Sequence, residues 1–277
     1  MNCGLRVCAA SGFAELPTTY PHDYRALFAG ADEERPTIVG GQAVNLWAIT
    51  YLDRADPASG TSKYGSHDLD VISTGRALAF LKKLPNWRFD PTPMKHFGVG
   101  ITARLQTVTN DGRLLLVEVL HSVAGLDASD LRRVSELTAS DGTVYRLLDP
   151  IAMVKAKAYN ARKFKQDDNP PRHDREHLEL IAKCLPEYLR EIHATAVRLK
   201  TANPAAAQDA IKEAADAVSA AFVTLTHHET AATLRAQGVP PESLIPPEFK
   251  ESPIEKVANA WKHQHPRLAA AGTRAKG

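Results

Sequence analysis

One short run constrains this chain more than any other: Leu114-Leu115-Leu116-Val117-Glu118-Val119-Leu120, an apolar strand candidate with a single carboxylate inside it. Leucine and valine in such density, entered from the turn sequence Asn110-Asp111-Gly112, predict a sheet strand. A buried carboxylate without a partner is expensive. Glu118 must therefore face solvent from one side of an exposed strand, or find charge on a neighbouring element. Asp68 and Asp70 belong to the second case. They stand two apart in His67-Asp68-Leu69-Asp70-Val71-Ile72-Ser73, so on a strand both carboxylates point to one face and Leu69 to the other. Taken alone, this D-x-D pattern also suits a solvated strand end or turn. If its strand lies beside that of Glu118, three carboxylates converge, and a divalent cation, Mg²⁺ or Mn²⁺, can offset their repulsion.

The surrounding segments predict a mixed sheet. Thr37-Ile38-Val39 reads as a short strand, Gly40-Gly41 as a tight turn, and Ala43 to Leu52 as a helix. A turn-rich stretch runs from Asp53 to Ser66, and a helix is expected at Ala77 to Lys83. Further strands are expected at Val99 to Val108 and Thr143 to Leu148, and an opening helix around His22 to Ala29. After Asp149-Pro150 the pattern becomes helical, at about 151–165, 174–200, 205–236 and 253–262. Pro186 should interrupt or kink the second of these, and Asn169-Pro170-Pro171 should separate it from the first. The expected class is α+β: a mixed-sheet core over residues 1–150 carrying a helical portion over 151–277. The length of 277 residues suits one substantial domain or two modest ones.

Composition excludes several classes of function. Thirty-four Lys and Arg against 32 Asp and Glu leave +2, too little for a field that would by itself draw in nucleic acid or a membrane. Cys3, Cys8 and Cys184 have the spacing of neither a disulfide framework nor a structural zinc site, which fits a reducing, cytoplasmic location. The first apolar run is broken by Ser11, Glu15 and Pro17 before a secretory core develops, and no apolar stretch approaches the roughly 20 residues that span a bilayer. No membrane association is expected. Ser66-His67 does not make a nucleophilic triad, His173-Asp174 lacks the separated ligands of a metal phosphohydrolase, and adjacent His227 and His228 diverge on a helix. Lys262, His263, His265, Arg267 and Arg274 give the tail a basic patch with no base-reading pattern.

Three segments together resemble the nucleotidyltransferase superfamily, most closely its AbiEii-like toxins of toxin–antitoxin systems: Val39-Gly40-Gly41-Gln42-Ala43-Val44-Asn45-Leu46, Ser66-His67-Asp68-Leu69-Asp70-Val71 and Val117-Glu118-Val119-Leu120. The resemblance implies that Gly40 and Gly41 contact the triphosphate of an NTP substrate. It further implies that Asp68 and Asp70 bind Mg²⁺ and that Glu118 acts as the third acid. The order Lys155, Ala158, Arg162, Asp174, Leu178 also resembles the helical segment after the family's core. By that likeness Lys155 and Arg162 face nucleotide phosphates and Asp174 joins the catalytic network. Read from spacing, Lys155 and Arg162 share a helix face, with Lys157 off it, and helix solvation accounts for them equally well. Asp174 can likewise be a helix-start residue favoured by the dipole. The chain departs from the family in the inserted Ala55 to Gly65 and in having Glu118 where Asp is usual.

The expected activity is transfer of a nucleoside monophosphate from an NTP to an acceptor hydroxyl, on an RNA end, on a protein or on a small molecule; the resemblance implies a tRNA end as acceptor and an antitoxin as regulator. The competing expectations are a small-molecule nucleotidyltransferase and a degenerate protein that binds nucleotide or partner without turnover.

Overall fold

Strands β1 (Thr37–Val39), β2 (Leu69–Ile72), β3 (Arg88–Pro91), β4 (Ile101–Val108), β5 (Leu114–Leu120), β6 (Val134–Thr138) and β7 (Val144–Leu148) form one mixed sheet in the order β3-β4-β5-β2-β1-β7-β6. The computed structural model describes residues 18–56, 65–92, 100–167 and 172–270. Most of the Ala55 to Gly65 insertion, the Asn169-Pro170-Pro171 break, Val99, the first apolar run with Cys3 and Cys8, and Arg274 lie outside the described residues. The class is α+β, a seven-stranded mixed sheet followed by a helical region.

Burial alternates along the two strands that carry the acids. Leu69 and Val71 of β2, and Leu115, Val117 and Val119 of β5, are buried, while Asp70 and Glu118 point the other way. β5 pairs antiparallel with β4 through the turn at Gly112, whose φ of +84° suits glycine, and parallel with β2. β1 pairs antiparallel with β2 and parallel with β7, so it joins the carboxylate-bearing strands to the β6–β7 hairpin.

The helices are α1 (Gly40–Tyr51), α2 (Gly75–Leu81), α3 (Pro150–Lys163), α4 (Asp174–Ala202), α5 (Gln208–Thr226), α6 (His228–Ala236) and α7 (Glu255–Ala270). α3 starts where Asp149 Oδ1 accepts the Ala152 N–H at 2.8 Å and Pro150 needs no donor, so the strand-to-helix change at Asp149-Pro150 is locally encoded. The expected helix over 205–236 is two helices, because His227 is extended at ψ 121°. The opening helix is a 3₁₀ helix at Pro21–Phe28. Pro186 does not interrupt α4, which continues through it. Leu185, Tyr188 and Leu189, all buried around Pro186, hold the helix against the cost of the lost hydrogen bond.

Ile38, Val71, Val117 and Leu147 of the sheet share one apolar cluster with Ala152, Leu178 and Leu185 of the helices, so the core runs across the Asp149-Pro150 junction. Trp47 anchors it: its indole N–H donates to Leu148 O at 2.9 Å, and its ring meets Tyr51 and Tyr188. Among the described residues, no helix is long and apolar enough to cross a membrane.

Candidate active site

Strand register builds the first half of the site. Asp70 lies opposite Glu118 across β2 and β5, Val39 lies opposite Asp70 across β1 and β2, and Arg104 lies opposite Glu118 across β4 and β5. Asp70, Glu118 and Arg104 therefore stand in one row, with neighbouring strands about 4.8 Å apart. Asp68, in the bend before β2, adds a third acid. Asp68, Asp70 and Glu118 each offer an oxygen such that the three lie within 4.8 Å of one another. The bend is pinned from behind: Thr19 and Ser66 exchange backbone hydrogen bonds of 2.7 and 3.1 Å, and Gln42 Nε2 donates to Thr19 O at 3.0 Å.

Gly40 closes the row. Its φ of +66° makes the turn from β1 into α1, and a Cβ there would lie 2.1 Å from Asp70 Oδ2. Both the left-handed backbone and the approach of the carboxylate require glycine. Gly41 is less confined, since a Cβ would meet Ser66 Oγ at 3.0 Å and His177 Cε1 at 3.1 Å.

The acids repel one another. Burial, then the charges of Asp68 and Glu118, push the Asp70 carboxyl well above the usual carboxylate range, against the pull of Lys157 and Arg172. Burial likewise raises Asp68, although His67, Lys157 and a hydrogen bond from Ser66 favour its ionised form. Arg104 compensates one member only: its Nε and Nη2 both donate to Glu118 Oε1, at 2.9 and 2.8 Å. Three hard oxygen donors with excess negative charge fit Mg²⁺ or Mn²⁺ by donor type and spacing.

The other half of the site is positive. Lys157, buried on α3, donates to Asp174 Oδ1 at 2.9 Å, and Arg172 Nε donates to Asp174 Oδ2 at 2.8 Å. Burial opposes ionisation of Asp174, but these two cations prevail and hold its carboxyl below the usual range. Asp174 thus fixes the lysine that faces the acids. Helices α1 and α4 run side by side in the same direction, as the successive contacts Gly41 with His177, Trp47 with Tyr188, and Tyr51 with Glu191 show. Both N-termini, with their free N–H groups, therefore come together next to the carboxylates.

The expected site residues divide accordingly. Asp68, Asp70, Glu118, Gly40 and Gly41 come together, and Asp174 joins them through Lys157. Lys155 and Arg162 do not: Lys155 Nζ binds Asp130 at 2.6 Å and Asp127 at 3.3 Å, and Arg162 binds Glu229 on α6. A residue advances about 100° around a helix, so Lys155 and Arg162 share one stripe and Lys157 points nearly opposite. The lysine of α3 that faces the acids is Lys157, placed by the same spacing that sends Lys155 away. A signal for it was present, because Lys157 interrupts the apolar stripe Met153, Val154, Ala158 and Ala161, all of which are buried. His177, Arg172 and Arg104 were also overlooked. His177 stands beside Leu178 and three residues after Asp174, on the face that α4 buries. Arg104 alternates with buried Ala103 and Leu105, which gives its direction but not its partner.

Comparison of the chain with protein-family models, with curated proteins and with solved structures finds no match.

Proposed function

We propose that the chain catalyses metal-dependent nucleotidyl transfer. The observation that carries this reading is the meeting of three carboxylates, within 4.8 Å of one another, with a glycine-built helix N-terminus. A triphosphate needs both, since the N–H groups of α1 donate to phosphate oxygens and the acids hold the counter-ion that a triphosphate brings. Mg²⁺ or Mn²⁺, when bound by Asp68, Asp70 and Glu118, screens the phosphates and lowers the pKa of an attacking hydroxyl. The chain's own groups position the rest. Gly40 and Gly41 admit the phosphates, Lys157 offsets their charge, and Asp174 with Arg172 keeps Lys157 extended. The acceptor oxygen forms a bond to the α-phosphorus, the bond from that phosphorus to the bridging oxygen of the β-phosphate breaks, and pyrophosphate leaves. The acceptor's proton passes to a site carboxylate and then to water. A reaction that consumes NTP fits the cytoplasm, and the acceptor classes are an RNA end such as that of tRNA, a protein hydroxyl or a small molecule, with an antitoxin as the regulator a toxin of this type would need.

Pyrophosphate release from each of the four NTPs, with Mg²⁺ or Mn²⁺ and with total RNA or total protein as acceptor, tests the reading against an Asp68→Asn/Asp70→Asn control. Release that needs one acceptor and vanishes in the control is expected. A second reading, nucleotide binding without turnover, is favoured by one observation: Arg104 already pairs with the third acid. Metal-dependent NTP binding with no release under any acceptor would select it, and absence of NTP binding would overturn both.

A further inference from the structure

His177 has no part in the chemistry above, yet its ring lies where the phosphates would sit. Its Cε1 and Nε2 are 3.1 and 3.6 Å from the position a Gly41 Cβ would take, beside Ser66 Oγ at 3.0 Å. Among the described residues its ring nitrogens make no hydrogen bond, and its one ring neighbour is His173, edge-on at 6.3 Å. Burial, together with the nearby charge of Lys157, holds the imidazole far below its usual range, at about 3. The ring is therefore uncharged and keeps one N–H to give. Side chains left with an unused donor beside two helix N-termini and a fixed lysine have an obvious acceptor in a phosphate oxygen.

We propose that His177 donates an imidazole N–H to a phosphate oxygen of the bound triphosphate, and so fixes how the triphosphate sits against Gly41 and Ser66. This rests on the reading of the site as a triphosphate site. It adds a donor without a second buried cation next to Lys157, which like-charge repulsion would oppose. It also gives a use to the small residue at position 41: a Cβ there would require the ring and Ser66 Oγ to give way by a few tenths of an ångström.

The test is binding of inorganic tripolyphosphate in Mg²⁺ by the full chain, its His177→Phe variant, which fills the space without a donor, and its His177→Gln variant, which restores one. Loss of about tenfold or more in affinity for His177→Phe is expected, with recovery in His177→Gln to within about threefold of the parent. The Mn²⁺-induced rise in melting temperature, which reports on the carboxylates alone, should be the same in all three. Unchanged affinity in His177→Phe overturns the proposal, as does a His177→Gln variant as weak as His177→Phe. If the parent binds no tripolyphosphate while its Mn²⁺ response persists, the triphosphate reading itself fails. Should the variants not fold, the His177 ring resonances of the parent decide: they shift on adding Mg²⁺ tripolyphosphate if the proposal holds and stay fixed if it does not.

Discussion

Replacing Asp70 with Asn should make the metal-free protein more stable and deprive it of its response to metal. Asp70 is pushed from 3.8 up to about 7 by burial and by its two acidic neighbours. If that whole displacement is charged to the folded state, holding the carboxylate ionised at pH 8 costs on the order of 4 kcal/mol. Partial solvent access and proton sharing with Asp68 reduce this to about 2 kcal/mol. For a chain of this size that is a rise in melting temperature of about 5 °C. The sign follows from linkage: the folded state holds the Asp70 proton more tightly than the unfolded state, so stability falls as pH rises from about 4 to about 7. The advantage of Asp70→Asn is therefore full at pH 8 and shrinks as pH is lowered toward 4. Asparagine keeps the shape that packs on Gly40, so no cavity confuses the comparison. Melting curves in chelator, and again in Mn²⁺, read both effects. The parent should gain about 3 kcal/mol at an Mn²⁺ concentration 100 times its dissociation constant, and Asp70→Asn should gain little. A destabilised Asp70→Asn variant, or a parent indifferent to Mn²⁺, would refute the view of these acids as a strained, cation-binding group.

Gly40→Ala should cost at least about 2 kcal/mol and abolish the Mn²⁺ response, since its methyl would strike Asp70 on a backbone of φ +66°. Gly112→Ala, equally strained at φ +84° but with open space around it, should lose stability and keep the response in the same melting assay. Lys157→Met leaves buried Asp174 with Arg172 and a 3.4 Å hydrogen bond from Asn160 Nδ2, and should cost about 3 kcal/mol by urea titration and weaken NTP binding. Lys155→Met should cost less than about 1 kcal/mol and leave NTP binding unchanged, because its partners lie away from the site. Cys184, whose thiol burial pushes up to about 12, should react with a disulfide reagent only as the chain unfolds; with Cys3 and Cys8 changed to Ser, labelling should track the urea transition.

What could be read from the residues was whatever a local period or a single awkward residue encodes. Glu118 in a leucine–valine run and the D-x-D pair announced a shared face, and the junction at Asp149-Pro150 announced the change from sheet to helix. β3 and β6 did not announce themselves. Arg88-Phe89-Asp90-Pro91 and Val134-Ser135-Glu136-Leu137-Thr138 are edge strands, half in water, whose charged residues are tolerated because one side needs no cover. At Pro186 the helix continues because intrinsic preference yields to packing when the flanking residues are buried.

The harder failure was at the positive side of the site. The family likeness points to Lys155 and Arg162, which share one stripe of α3. That stripe meets Asp127, Asp130 and Glu229, which neutralise it. A lysine useful to a buried anion site must instead sit in the apolar stripe that turns toward the core, where it survives only if a carboxylate is brought to it. Lys157 and Asp174 meet that condition, 17 residues apart in sequence and 2.9 Å apart in space. The same reasoning explains why α1 and α4 run in one direction. Aligned helices repel at their ends, and here both positive ends lie beside three carboxylates that repel each other in turn. Each half of the site offsets the charge the other gathers, and a cation with a polyanion would complete both.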